Sequence, residues 1–135
     1  MSRNIVKILD KGFSDISAGE KMLISSPEKI SEFILAIPKG SFLSIKELRR
    51  GLALKAGADN TCPLTTGIFL RMAIEQNKDD VNFPYWRVVD EKHPVVKKLK
   101  LDENQIKSRR VDEGLPTKKN PLLSNSAEQK VSSIL

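Results

Sequence analysis

Aromatic residues make up only 5% of this chain, and among its 135 residues there is one tryptophan, one tyrosine, one cysteine and one histidine. The lone Cys62 has no partner for an internal disulfide, which suits a reducing compartment. The lone His93 stands before Pro94 in an expected turn, with no second histidine or cysteine near it in sequence, so no metal site is expected. No apolar run approaches the length of a membrane span. The basic opening "MSRNIVKILDKGF" has neither a long apolar stretch nor a small-residue cleavage site, so no secretory leader is expected. Glycine-rich phosphate loops, paired catalytic carboxylates and a Ser-His-Asp set are all missing, which leaves no motif for a cofactor or for the common hydrolytic chemistries. These absences together point to a cytoplasmic protein.

Hydrophobic residues account for 39% of the chain, enough for one core in a single domain. Formal net charge is +6. A small basic domain suits an anionic partner, and nucleic acid is the commonest one.

Local signals order the middle of the chain. A short strand is expected within Lys21–Ser25. Ser26, Pro27 and Glu28 form a helix start, followed by Ile30, Phe33, Ile34 and Ile37 at helical spacing and stopped by Pro38 and Gly40. Ser44 and Glu47 make a capping box for a second helix, with Ile45, Leu48 and Leu52 on the inner side, Lys46, Arg49 and Arg50 on the wet side, and Gly57 as the stop. A third helix begins at Pro63, capped by Thr61 or Cys62. "PYWRVV" then reads as a strand, whose alternation would send Tyr85 and Trp86 to opposite faces, and "DEKHP" as a turn. "DENQIKSRRVDEG" reads as a basic helix ended by Gly114. Lys97, Lys98, Lys100, Lys107, Arg109 and Arg110 form a basic stretch, read either as a track for a phosphate backbone or as a solvated face.

The stretch from Phe42 to Gly114, with "LSIKEL", "LTTGIFLRMA", "PYWRVV" and "VDEG" in that order, resembles the C-terminal DNA-binding domain of O6-alkylguanine-DNA alkyltransferases. It is still more similar to the alkyltransferase-like proteins, which lack the acceptor cysteine. That resemblance implies a winged helix-turn-helix in a single domain of α+β class, mainly helical with a small β element. It implies DNA contacts from Ile45, Thr61, Leu64, Thr65, Thr66 and Arg71, with Ile45 and Leu64 standing at the family's phosphate-rotating tyrosine and arginine finger. It also implies a pocket from Pro84, Tyr85, Trp86, Arg87 and Glu113. Tyr85 occupies the place of the family's cysteine and Trp86 that of its histidine. A phenol with a pKa near 10 is a poor nucleophile and an indole N–H only donates, so acceptor chemistry is missing from the motif.

The expected domain layout is an N-terminal extension over 1–25, the alkyltransferase-like domain over 26–116, and a C-terminal tail over 117–135, loose or docked through Leu122 and Leu123. The expected function is non-enzymatic binding of double-stranded DNA, alkylated or distorted, as a monomer in repair alongside other repair proteins. Two alternatives stand beside it: a protein-interaction or regulatory module on the same fold, and residual alkyl acceptance by Cys62, whose place before Pro63 at a helix start would favour a thiolate.

Overall fold

The computed structural model describes residues 4–115 and is of α+β class, with five α-helices and a small three-stranded sheet among them. Strand β1 (Ile5–Ile8) pairs antiparallel with β2 (Lys21–Ile24), in register from Ile5 opposite Ile24 to Ile8 opposite Lys21. β2 pairs on its other edge, in parallel, with the two-residue β3 (Asn60–Thr61). The strand at Lys21–Ile24 is where the sequence suggests one. β1 and β3 are additions to that reading, because their partners are distant in the chain. Pro116 and the expected tail with Leu122 and Leu123 lie outside the described residues.

The helices follow their local signals closely. In α1 (Pro27–Ala36) the Ser26 hydroxyl accepts the Lys29 N–H at 3.1 Å and Pro27 occupies the first turn, where its missing N–H costs nothing. In α2 (Ile45–Ala56) both bonds of the capping box form: Glu47 N–H donates to Ser44 Oγ at 3.2 Å and Ser44 N–H to Glu47 Oε1 at 2.8 Å. Gly57, at φ 72°, takes the left-handed conformation that closes α2. α3 (Pro63–Asn77) starts on Pro63, with Cys62 at the cap position but no side-chain cap bond. A short α4 (Pro94–Lys98) follows the expected turn, and α5 (Glu103–Asp112) is capped by Asp102. Among these residues no helix is long and apolar enough to cross a membrane.

Two expectations need correction. "PYWRVV" is not a strand: Tyr85–Arg87 form a 3₁₀ turn. Pro84 removes one ladder donor, and the local bonds Arg87 N–H to Pro84 O and Val88 N–H to Tyr85 O, both 3.1 Å, absorb the backbone instead. Adjacent side chains on such a turn need not oppose each other, and Tyr85 and Trp86 are both buried. Arg49, expected on the wet side of α2, is buried too. Its Nε donates to the Thr61 carbonyl at 2.9 Å, and its two terminal nitrogens grip Asp15 at 3.0 and 2.6 Å. The fork of donors is thereby satisfied, which a buried guanidinium requires. Through this contact α2 is tied both to β3 and to the loop between β1 and β2. The Arg49 hydrogen bond, against a smaller opposing effect of desolvation, holds the Asp15 carboxyl below its ordinary pKa.

One core joins α1, α2, α3, the 3₁₀ turn, α4 and α5, centred on Phe33, Leu48, Leu70, Ile74, Phe83 and Ile106. Two helical glycines sit very differently against it. A Cβ on Gly51 would lie 2.5 Å from Phe33 Cζ, whereas a Cβ on Gly67 would meet nothing within 4 Å. The same substitution therefore has opposite signs. Gly51→Ala should destabilise by about 1–3 kcal/mol through overpacking. Gly67→Ala should stabilise by roughly 0.5–1 kcal/mol from helix propensity alone. Urea melts of the two variants check this directly.

Candidate nucleic-acid interface

The five residues expected to line a pocket are brought together. Pro84 removes a backbone donor just ahead of the 3₁₀ turn, which places Tyr85, Trp86 and Arg87 in succession beside the end of α5. Glu113 is the hub. Its carboxylate accepts Arg87 Nε at 2.8 Å and a second guanidinium nitrogen at 2.9 Å, a two-pronged pair that is largely buried. It also accepts the Trp86 indole N–H at 2.8 Å and the Gly40 N–H at 3.3 Å. Arg87 donates once more, to the Ile37 carbonyl at 2.8 Å, so the cluster ties the end of α1 to the end of α5. Burial alone would raise the Glu113 pKa, but the bonds from Arg87, Trp86 and Gly40 outweigh it and bring it down to about 2.

This cluster is filled rather than open. Tyr85 and Trp86 are 6% and 7% exposed and meet edge to face at 5.6 Å between ring centres. Arg109 lies over the Trp86 ring at 5.2 Å, and Arg110 donates to the Trp86 carbonyl at 2.9 Å from within the core. The gap left beside both rings, bordered by Lys78, Gln105, Ile106 and Arg109, is about 30 Å³. Sites for small organic ligands run to roughly 300–1,000 Å³, so this gap has room for a water and not for a base. Burial also pushes the Tyr85 phenol above its ordinary pKa, which keeps its proton in place and removes it as a nucleophile. Cys62 is buried beside Ile16 and Met22 in a small satellite cluster and is enclosed as a small hydrophobe.

The six residues expected to meet DNA separate into two sets. Leu64, 63% exposed, and Arg71 stand in solvent on the outer face of α3. The other four are withdrawn. Thr61 is fully enclosed and its hydroxyl donates to the Arg49 carbonyl. Thr66 is also fully enclosed and donates to the Cys62 carbonyl at 2.7 Å. The Thr65 hydroxyl is buried with no hydrogen-bond partner among the described residues, and Ile45 is half-buried against the core. Thr61 and Thr66 are fully enclosed, whereas Thr65 and Ile45 are half-buried. Of the basic stretch, Lys97, Lys98, Lys100 and Lys107 are exposed while Arg110 is buried, so only part of it can track phosphates.

Sequence reasoning missed what surrounds Arg71. Leu64, Ile68 and Met72, one helical turn apart, form an exposed apolar stripe on α3. Between this face and α4 runs a groove of about 260 Å³ that includes Gly67, Arg71, His93, Val95 and Lys98. His93 Nδ1 accepts the Val95 N–H at 3.1 Å, capping α4. Burial lowers the His93 pKa, against a weaker opposing pull from Asp90, so the ring is neutral at pH 7. His93-Pro94 was the one available signal for this cap and for α4 behind it, since proline suits a first helical turn.

No family model, curated protein or solved structure matches the chain.

Proposed function

We propose that this chain is a non-enzymatic protein of the cytoplasm that binds double-stranded DNA with the outer face of α3, using α2 and α3 as a helix-turn-helix in an alkyltransferase-like, winged-helix frame. The observation that carries this reading is the exposure of that face. α3 buries Thr66, Leu70, Ala73 and Ile74 against the core and turns Leu64, Gly67, Ile68 and Arg71 outward, with Lys97 and Lys98 exposed on neighbouring α4. The net charge of +6 has the sign a duplex attracts. The contact set is smaller than the resemblance implies, because Thr61 and Thr66 are fully enclosed. Leu64 suits an apolar wedge at a distorted step. The filled space around Tyr85 and Trp86 favours recognition of deformed duplex over capture of a single alkylated base.

Fluorescence anisotropy of a labelled duplex against salt tests this. Wild-type affinity should fall linearly on a log–log plot, and Arg71→Ala should flatten the slope by about 0.9, the loss of one phosphate contact. Leu64→Ala should weaken binding to a mismatched duplex without changing the slope. Absence of binding at low salt removes the proposal.

A second reading rests on the stripe of Leu64, Ile68 and Met72. Three large apolar side chains side by side in solvent are a feature of protein-binding surfaces, and a protein partner would take the same face. A nuclease-resistant complex lost in Ile68→Asp would favour that reading.

A further inference from the structure

The groove between α3 and α4 has a chemical character of its own. Its apolar lining includes Leu64, Ile68 and Val95, and its three polar side chains are Arg71, His93 and Lys98. Among the described residues no carboxylate lines it. Arg71 and Lys98 make no ion pair among the described residues, so both cations are open to an incoming group. The bond that Nδ1 of His93 accepts from Val95 places the proton of the neutral ring on Nε2, which makes that nitrogen a donor as well. Every polar side chain lining the groove therefore donates, and the rest of the lining offers apolar surface. Its volume of about 260 Å³ lies just below the range of drug-sized sites, about 300–1,000 Å³. Gly67 keeps the α3 wall low, since a side chain there would project into open space.

We propose that the α3–α4 groove is a binding site for a compact apolar monocarboxylate, a single-ring or short branched acid, with its anion held by Arg71, Lys98 and His93 and its body on Leu64, Ile68 and Val95. Charge complementarity selects the head group, and the small volume selects the body. The groove shares Leu64, Gly67, Ile68, Arg71 and Lys98 with the face proposed to meet DNA, and it is tested without DNA so that the two readings fail separately.

The experiment is a titration of ¹⁵N-labelled full-length protein with benzoate and with benzyl alcohol, its uncharged counterpart of similar size. Benzoate should give saturable shifts at the Gly67, Ile68, Arg71 and Val95 amides, and benzyl alcohol should bind about tenfold more weakly for want of the charge-assisted bonds. Lys98→Gln should weaken benzoate and leave benzyl alcohol unchanged. Gly67→Leu should abolish both while keeping the wild-type circular dichroism spectrum. Should that variant fail to fold, Lys98→Gln decides the matter alone. The proposal is overturned by the lack of saturable shifts at millimolar benzoate, by shifts centred on Tyr85 and Trp86, by equal affinity for the two probes, or by undiminished benzoate binding in either variant.

Discussion

Glu113→Ala should lower stability at pH 7 by about 3 kcal/mol, the cost of leaving a buried charge without its partner. For a chain of this size that is a fall in melting temperature of roughly 10–15 °C. The reason lies in the number of groups converging on one carboxylate. Both prongs of Arg87 and the Trp86 indole end on it, with the Gly40 amide at a longer distance, and the side chains of Arg87 and Glu113 are only 14% and 6% exposed. Removing the acceptor strands the guanidinium and the indole in a place that water reaches poorly. Glu113→Gln keeps the shape and should recover part of the loss.

The pH dependence separates charge from shape. Glu113 has a folded pKa of about 2, below its value in the unfolded chain. Its contribution is therefore complete above the unfolded value, about 4.3, and is lost as pH falls from there toward 2. His93 is also shifted down, by burial, so its contribution is complete above about 6.5 and declines below that. Wild-type stability should thus fall in two stages on acidification. In Glu113→Gln the stage below about pH 4.3 should be much shallower while the histidine stage persists. Chemical denaturation between pH 7 and pH 3 reads both stages, and unchanged acid sensitivity in the variant would show that the cluster is not the source.

Trp86→Ala should cost about 3–5 kcal/mol, the range for removing a large buried aromatic side chain. It loses the edge contact with Tyr85, the Arg109 stacking and the bond to Glu113 in one step. Trp86→Phe retains most of the ring and loses chiefly the N–H donor, so it should cost about 1–2 kcal/mol. Because Trp86 and Glu113 share a bond, the double variant Trp86→Ala, Glu113→Ala should be less destabilised than the sum of the single changes. Denaturant melts followed by far-ultraviolet circular dichroism measure all three, and a strictly additive pair would contradict the coupling.

The parts of this molecule that were legible in the sequence are those fixed within a few residues. Ser44 with Glu47, Pro63 behind Cys62, and Gly114 behind α5 each mark a helix end whose partner lies within a turn of chain. What was not legible depends on distant partners. Arg49 looks like a surface residue of α2 until Asp15, 34 residues earlier, comes into reach. β1 is four residues of "IVKI" with no turn signal strong enough to announce its pairing with β2. Thr61 and Thr66 carry the hydroxyls expected of a reading helix, yet Thr61 bonds to the Arg49 carbonyl of α2 and Thr66 to the Cys62 carbonyl just ahead of α3. For Tyr85 and Trp86 the alternation of a strand is the wrong geometry, because both lie in a 3₁₀ turn held by local backbone bonds. Arg87 and Glu113, 26 residues apart, meet as an ion pair within the group that the resemblance places around one pocket.

The most direct test of the proposed function is an amide shift map of the ¹⁵N-labelled protein on addition of a short mismatched duplex at low salt. Binding through α3 requires the largest changes at Leu64, Gly67, Ile68 and Arg71, with a second group at Lys97 and Lys98, and little change at Tyr85 or Trp86. A map confined to the Tyr85–Trp86 cluster, or one with no changes along α3, would contradict it.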